Sequence, residues 1–340
     1  MQVSFIFWLL LPSIAAVIAA ALVIVIRPLL WRYTLARPNA RSSHKIPTPQ
    51  GGGIPVIVTT IAAAVTVQFL AAPASSPTPM LAVFAASVFL GAVGTVDDIR
   101  AIPILPRLTL QALAIVAVIA ALPSDLRILP ALPWWVERAL ILLGSLWFVN
   151  LVNFMDGLDW MTVAEVVPVT FGLAILGTIG ALPEHAMITA LALLGAMIGF
   201  APFNKPVARL FLGDVGSLPI GLLLSWLLIL VAGSGNLVAA ILLPLYYISD
   251  ATITLGRRIL HLQPVWEGHR EHFYQRAFDN GLPAIAIVRR VFIVNVVLAM
   301  LAIATVTVPS TSFTAVALGF GIAIVAWLLH SLTANASSTA

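Results

Sequence analysis

Four polar residues recur at every third position where a hydrophobic segment ends. Asn150, Asn153, Asp156 and Asp159 lie in the stretch FVNLVNFMDGLDWM, beside Gly157. At the helical repeat, positions 150, 153 and 156 share one face, and Gly157 permits the chain to leave the helix there. The alternative is a polar contact between helices, since amides also join membrane helices. Two amides and a carboxylate exceed what such a contact needs, and we predict a functional site.

Two further groups place carboxylates beside apolar segments. Asp97 and Asp98 are adjacent in GTVDDIR, where they repel each other and need a cation or a proton donor nearby. Asp214 lies in the turn FLGDVGSLP before an apolar helix, which Ser217 is placed to cap. Backbone amides at a helix N-terminus attract phosphate, and a carboxylate there can hold Mg²⁺ against it. A hydrophilic helix end and an ordinary turn are the respective alternatives.

Two loops carry basic and aromatic residues. The stretch SSHKIPTPQGGGIP contains His44 and Lys45, and its three glycines permit close backbone approach to a ligand; a rigid linker is the alternative. In PVWEGHREHFYQRAF, His269, His272 and Arg276 have the spacing of one helical face. Hydrogen bonding and anion contact suit this face better than a zinc site does. A basic helix lying on lipid is the alternative.

The elements that position these residues are membrane spans. Only 9% of the residues are charged and 61% are hydrophobic, whereas a soluble domain has about 25% charged residues. Eleven apolar windows, from 4–26 to 312–330 and including 236–255, predict an all-α polytopic membrane protein of about 11 transmembrane helices. The first window is interpreted as a retained span. The absence of cysteine excludes disulfides, thiolate metal sites and cysteine nucleophiles.

The basic residues predict the orientation of the spans. Fifteen of the seventeen lie in loops on one side, and only Arg127 and Arg138 lie on the other. By the positive-inside rule, the N-terminus is outside and the C-terminus is cytoplasmic. The chain is interpreted as a single membrane-embedded domain, 1–340, with cytoplasmic loops at about 27–53, 97–107, 156–160, 203–215 and 256–290.

Taken in order, these motifs resemble the polyprenyl-phosphate N-acetylhexosamine-1-phosphate transferase family. The matching elements run from residue 44 to 276: HKIPTPQGGG, VDDIR, NLVNFMDGLDW, PFNKP, FLGDVGS, Asp250 and HREHFYQR. The chain looks most similar to the bacterial branch that initiates O-antigen or related surface glycans, because HREH stands where the peptidoglycan branch has a run of histidines. A second departure is Gln50, where many relatives have a basic residue, so that Lys45 or Arg41 would contact phosphate.

The resemblance implies transfer of N-acetylhexosamine 1-phosphate from a UDP-sugar to a polyprenyl phosphate in the bacterial inner membrane, with release of UMP on the cytoplasmic face. It implies Mg²⁺, with Mn²⁺ as an alternative, and no nucleic-acid partner; oligomeric state, including a homodimer, stays open. Asp214 would hold the metal, with Asn153 or Asp156 completing the site or holding the uridine diphosphate.

The resemblance also suggests roles for the other polar residues. Asp97 and Asp98, and Asp156 with them, are the candidate catalytic residues, the first two orienting the lipid phosphate rather than removing its proton. The expected substrate-binding residues are His44, Lys45, Asn150, Asn153, Asn204, Phe211, Asp250, His269, His272 and Arg276. Asn204 and Phe211 would bind uracil, and the HREHFYQR loop would recognise the sugar.

Two other function classes fit an apolar chain with intramembrane aspartates. A secondary transporter would have polar residues at mid-span and two related halves, whereas here the aspartates gather at one face. A structural scaffold leaves the aspartates without a role. UMP release from a UDP-sugar discriminates among the three.

Overall fold

A computed structural model describes residues 5–36, 47–71, 78–263 and 269–334, and this part of the chain is a bundle of α-helices. Its helices are α1 Phe5–Tyr33, α2 Gly53–Ala71, α3 Thr78–Ile99, α4 Ile104–Ala120, α5 Trp134–Met155, α6 Met161–Thr178, α7 Glu184–Phe200, α8 Asp214–Gly233, α9 Leu237–Leu242, α10 Leu245–Leu260, α11 Phe273–Asp279, α12 Ala284–Thr307 and α13 Thr311–Ala334. Two short strands, β1 Leu35–Ala36 and β2 Thr48–Pro49, pair in antiparallel orientation. Within the described residues, nine helices are long and apolar enough to cross a membrane, and α4 is a shorter apolar helix. The predicted all-α polytopic membrane fold is confirmed.

One predicted span is interrupted. The apolar window 236–255 forms two helices, α9 and α10, that meet at Pro244. Proline has no backbone N–H and its ring crowds the preceding turn, which favours a break at this position. Helices α6 and α8 nevertheless continue through Pro168 and Pro219, so proline alone does not impose the break. Within the described residues, the predicted number of about 11 transmembrane helices thus corresponds to nine long apolar helices, the shorter α4 and this divided segment.

Helix α8 lies at the centre of the bundle. Of its apolar window, 94% of the residues are buried inside the protein, compared with 22% for α1 and 28% for α13. Helices α2, α3 and α5 all pack against α8. The outer helices therefore shield α8 from the surrounding lipid, and the residues at its N-terminus are placed by protein contacts.

Glycines allow α2 and α3 to approach α8 at backbone distance. A Cβ on Gly53 of α2 would lie 2.1 Å from the Cα of Gly216, and one on Gly94 of α3 would lie 2.3 Å from the carbonyl oxygen of Asp214. No L side chain fits at such distances, because the clashing atoms belong to the backbone. These contacts bring the start of α8 against the end of α3.

The glycine-rich segment before α2 is held against the turn that leads into α8. Gly52 donates a backbone hydrogen bond of 2.9 Å to Phe211, and Gly53 donates one of 2.8 Å to Leu212. The N–H of Phe211 in turn donates to Pro49 at 2.9 Å. Gly52 and Gly53 thus approach protein backbone closely, at the edge of the site described below.

Candidate active site

The N-terminus of α8 is capped by a carboxylate from another helix. The two oxygens of Asp98, at the end of α3, accept the backbone N–H groups of Asp214 at 3.0 Å and Val215 at 3.2 Å. The next two N–H groups, of Gly216 and Ser217, donate to the carbonyl of Gly213. The prediction that Ser217 caps α8 is wrong, because Gly213 is the N-cap residue and Ser217 lies inside the helix. The expected binding of phosphate to these amides is also wrong, since all four are occupied.

Asn153 connects α5 to the start of α8. Its Nδ2 donates to Asp214 Oδ1 at 2.7 Å and to the hydroxyl of Ser217 at 2.9 Å. Asp97 and Asp98 both interact electrostatically with Asp214. The structure therefore brings together Asp214, Asn153 and the VDDIR pair, which are separated by up to 117 residues in the chain.

Asp156 is the residue that terminates α5. Its Oδ1 accepts a hydrogen bond from the Thr162 hydroxyl in the first turn of α6. Burial of the carboxyl raises the pKa of Asp156 to about 7, and the negative charges of Asp98 and Asp159 act in the same direction, while the Thr162 hydrogen bond opposes them. Asp156 can therefore carry a proton near neutral pH.

Asp97 is held by cationic and backbone partners. One oxygen forms an ion pair with Arg107 of α4 at 2.9 Å, and the other accepts the N–H of Ile102 at 2.6 Å. Gln50 donates to the backbone carbonyl of Asp98 at 2.9 Å. Asp97 thus anchors the α3–α4 loop. Arg107 is the cation that the adjacent carboxylates of Asp97 and Asp98 were expected to need.

Asn204 supports the loop after α5. Its Oδ1 accepts the N–H of Trp160 at 2.8 Å and its Nδ2 donates to the Leu210 carbonyl at 3.0 Å. Trp160 has a left-handed backbone, with φ of 63°, and its indole N–H donates to Ala201. Asn204 is buried, whereas the side chain of Phe211 is partly exposed. Of the two predicted uracil contacts, Phe211 is thus the accessible one.

The side-chain hydrogen bonds of Asn150 go to α4 and to its own helix. Its Nδ2 donates to Gln111 of α4 at 2.6 Å and to the Leu146 carbonyl at 2.8 Å. This contact matches the alternative interpretation, a polar contact that joins two helices. The structure gives Asn150 an evident packing role, and its expected binding role stays a prediction.

Asp250 organises the segment between α10 and α11. The carboxylate is fully buried and accepts hydrogen bonds from Tyr246 at 3.2 Å, Thr254 at 3.4 Å, His272 Nδ1 at 3.1 Å and the N–H of Phe273 at 3.1 Å. Because Asp250 binds the N–H of Phe273, α11 begins there, with His272 at its N-cap position.

The predicted helical face formed by His269, His272 and Arg276 is wrong. Arg276 is exposed on α11, His272 is buried at its N-cap position, and His269 precedes the helix and stacks on His272 with ring centroids 5.1 Å apart. The histidines therefore contact each other through ring stacking instead of helical spacing. Their role in sugar recognition stays a prediction.

Tyr274 joins α11 to the end of α5. Its hydroxyl donates to the Phe154 carbonyl at 3.0 Å, and a Cβ on Gly157 would lie 2.4 Å from this hydroxyl. Gly157 is thus needed for space, and its backbone is not left-handed. The HREHFYQR segment is in this way fixed beside the loop that contains Asp156. The remaining predicted residues, His44 and Lys45, lie outside the described residues.

The aspartate group suits a hard dication. Carboxylate and amide oxygens are the donors that Mg²⁺ prefers, and Mg²⁺ commonly keeps water and substrate phosphate among its ligands. In the ranges described above, no basic side chain forms an ion pair with Asp98, Asp156 or Asp214. No group of three His, Cys, Asp or Glu side chains in those ranges forms a protein-only metal centre. A metal would therefore bind Asp214 and Asn153 together with substrate oxygens.

Sequence reasoning missed several polar partners of this site. Gln111, Thr162, Glu165 and Asn295 are buried in apolar helices and form hydrogen bonds between helices or to the α5–α6 loop. Their only sequence signal is a polar residue inside an apolar window. That signal does not reveal the partner.

Comparisons with known proteins match most of this region. The sequence profile of glycosyl transferase family 4 matches residues 80–232, which include the four aspartates at 97, 98, 156 and 214. A probable undecaprenyl-phosphate N-acetylglucosaminyl 1-phosphate transferase of Bacillus subtilis is 25% identical over 286 residues, which cover 79% of this chain and 78% of that protein.

Two phospho-N-acetylmuramoyl-pentapeptide-transferases are also similar. The protein from Hydrogenobaculum sp. is 31% identical over 46% of this chain and 47% of its own length. The protein from Ruegeria pomeroyi is 31% identical over 57% of this chain and 61% of its own length. The chain thus matches less than two thirds of these two relatives.

Proposed function

We propose that the chain, as a member of the polyprenyl-phosphate hexosamine-1-phosphate transferase family, transfers N-acetylhexosamine 1-phosphate. The donor is a UDP-sugar and the acceptor is a polyprenyl phosphate. The products are a polyprenyl-diphosphate-sugar and UMP. The observation that carries the proposal is the meeting of Asp98, Asp156 and Asp214, from the ends of three helices, at one end of an apolar bundle.

The position of the aspartates suits a reaction between a membrane lipid and a water-soluble nucleotide. Asp98, Asp156 and Asp214 lie at or next to helix ends, so they would be at the membrane surface when the helices span it. The distribution of basic residues supports the cytoplasmic side for this surface. The family resemblance supports a bacterial inner membrane. The lipid phosphate and the UDP-sugar can meet there.

The chemical step is a displacement at phosphorus. An oxygen of the lipid phosphate forms a bond to the sugar-linked phosphorus, and the bond from that phosphorus to the UMP oxygen breaks. Bound Mg²⁺, or Mn²⁺, would neutralise charge on the diphosphate, and Asp214 and Asn153 are the residues placed to hold it. The protein's own contribution is to position the two substrates.

Asp98 is suited to positioning rather than to proton removal. Both of its oxygens accept backbone N–H groups of α8, so its orientation is fixed. A lipid phosphate also needs no strong base, since the second pKa of a phosphate monoester is about 6. Asp156 has the pKa suited to accept a residual proton.

For the glycan, we propose a surface polymer such as O-antigen. The support is the HREH segment, which lacks the histidine run expected of the peptidoglycan branch. UDP-N-acetylglucosamine is the first donor to test, because the Bacillus subtilis relative is named for that sugar. The relatives reported above are transferases, and they give no support to the transporter alternative.

The test is UMP release by the purified protein from a panel of UDP-sugars, with undecaprenyl phosphate and Mg²⁺. Asp214→Asn should lower turnover by about 100-fold or more without loss of folded protein, since transition-state charge stabilisation of this kind is worth about 3–4 kcal/mol. The matched control is Asp125→Asn in an exposed loop at the other end of the bundle, which should leave turnover unchanged. Release of no UMP from any donor would refute the function, and an active Asp214→Asn would refute the metal assignment.

A further inference from the structure

A second polar group lies inside the bundle, between α6 and α12. Glu165 and Asn295 are both buried, and Asn295 Nδ2 donates to Glu165 Oε2 at 2.6 Å and to the Ala164 carbonyl at 3.0 Å. Within the described ranges, no cationic side chain forms an ion pair with Glu165. A carboxylate that is buried in a membrane span without a cation is costly, so the group needs another way to be stabilised.

The two side chains leave a matching pair of oxygens. Glu165 Oε1 and Asn295 Oδ1 are buried and have no hydrogen-bond partner within the described residues. If Glu165 were ionised, both atoms would be acceptors, and neither could satisfy the other. One proton on Glu165 converts Oε1 into a donor, so that the acid and the amide can form two reciprocal hydrogen bonds.

The same group is connected to the active site through α6 and α10. The Tyr247 hydroxyl of α10 is buried without a well-aligned hydrogen bond, yet it interacts with both Glu165 and Thr162. Thr162 precedes Glu165 by three residues and therefore lies on the same side of α6. Its hydroxyl donates to Asp156. A continuous series of polar groups thus runs from Asn295 to Asp156.

We propose that Glu165 is a positioning residue of the active site. As an uncharged carboxylic acid it binds Asn295 of α12 and faces Tyr247 of α10, and it thereby holds the first turn of α6 so that Thr162 stays hydrogen-bonded to Asp156. The kinetic part of this inference rests on the proposed function, whereas the protonation of Glu165 does not.

The protonation is tested by infrared spectroscopy of the purified protein. A protonated carboxyl group has a C=O band that is separate from the bands of carboxylates and amides and that shifts in D₂O. Glu165→Gln should remove one such band, whereas Glu184→Gln, which changes an exposed residue at the start of α7, should not. Retention of the full band in Glu165→Gln would overturn the assignment, whether or not transferase activity has been found.

The positioning role is tested by kinetics. Glu165→Gln keeps a neutral hydrogen-bonding group and should keep kcat within about twofold of the unmodified protein. Glu165→Leu and Thr162→Val should each lower kcat by roughly ten- to 100-fold, as expected for a lost buried hydrogen bond. KM for the UDP-sugar should change little, since these residues do not contact the nucleotide. Because both changes act on Asp156, the double variant should be no slower than the slower single variant.

A control separates this role from a general loss of packing. Thr170 is buried on the same helix, but its hydroxyl donates to the Val166 carbonyl within α6, so Thr170→Val should leave kcat unchanged. If Glu165→Leu is not recovered folded, Asn295→Leu replaces it with the same expected loss. Equal kcat in all variants, or multiplied losses in the double variant, would overturn the positioning role.

Discussion

The closest contact between α3 and α8 allows a sharp test of how the aspartates are positioned. In Gly94→Ala, the new Cβ would lie 2.3 Å from the carbonyl oxygen of Asp214, whereas ordinary contact begins at 3.4 Å. The two helices must therefore separate by about 1 Å, and backbone atoms cannot rotate away as a side chain can. The hydrogen bond from the N–H of Asp214 to Asp98 is 3.0 Å long and would stretch to about 4 Å.

Gly94→Ala should thus release α8 from its cap and shift Asp214 relative to Asp98. A misplacement of about 1 Å at a catalytic site can cost about 100-fold in rate. The assay is UMP release by protein that elutes as a single folded species in detergent, with a thermal unfolding curve recorded in parallel.

Gly91→Ala is the matched control for this variant. It lies one turn earlier on the same helix, and its Cβ would meet the Val215 carbonyl at 3.6 Å, which is ordinary contact. Gly91→Ala should therefore retain nearly full activity. Near-normal activity of folded Gly94→Ala would refute the conclusion that the α3–α8 contact positions the site.

Three further outcomes are expected. Burial raises the pKa of Asp156 from 3.8 to about 7, so the folded protein binds this proton more tightly than the unfolded chain does. The bound proton contributes about 4 kcal/mol to the free energy of unfolding. This contribution is fully present below about pH 4 and is lost as the pH rises to about 7. In Asp156→Asn, the fall of the thermal midpoint across this range should be smaller, and an equally steep fall would contradict the assignment. The chain lacks cysteine, and Leu262 is 95% exposed in a loop predicted to be cytoplasmic. Leu262→Cys should therefore react with a membrane-impermeant maleimide only after the membrane is opened. Labelling in intact cells would contradict the predicted orientation. Arg276 is exposed, whereas His272 is buried against Asp250. Arg276→Ala should therefore raise KM for the UDP-sugar at normal thermal stability, and His272→Ala should mainly lower thermal stability. The opposite pattern would indicate that His272 is the sugar contact.

The sequence allowed the fold class to be predicted, and it marked Asp97, Asp98 and Asp214, which the structure brings together, because both depend on local signals. An apolar window long enough to span a bilayer predicts a helix wherever it occurs, and an aspartate at its end is conspicuous in a chain with 9% charged residues. Pro244 can also be read from the sequence, but whether a helix breaks at a proline depends on the packing around it.

The pairing of side chains could not be predicted in the same way. Asp98 and Val215 are 117 residues apart, and nothing in VDDIR indicates that its second carboxylate caps a distant helix. The helical spacing of His269, His272 and Arg276 was misleading, because the buried carboxylate of Asp250 sets where α11 begins. Long-range hydrogen bonds of this kind follow from the tertiary arrangement alone.

The enclosure of α8 also bears on how the protein responds to its lipid environment. A change in bilayer thickness acts on surfaces that touch acyl chains, and it is accommodated by tilt or by local deformation of lipid. Those surfaces belong mainly to outer helices such as α1 and α13, whereas α8 meets almost exclusively protein. The depth of Asp214 relative to Asp98 and Asn153 is therefore set by contacts within the bundle. Bilayers of different thickness can tilt the outer helices while the distances among these three residues stay the same.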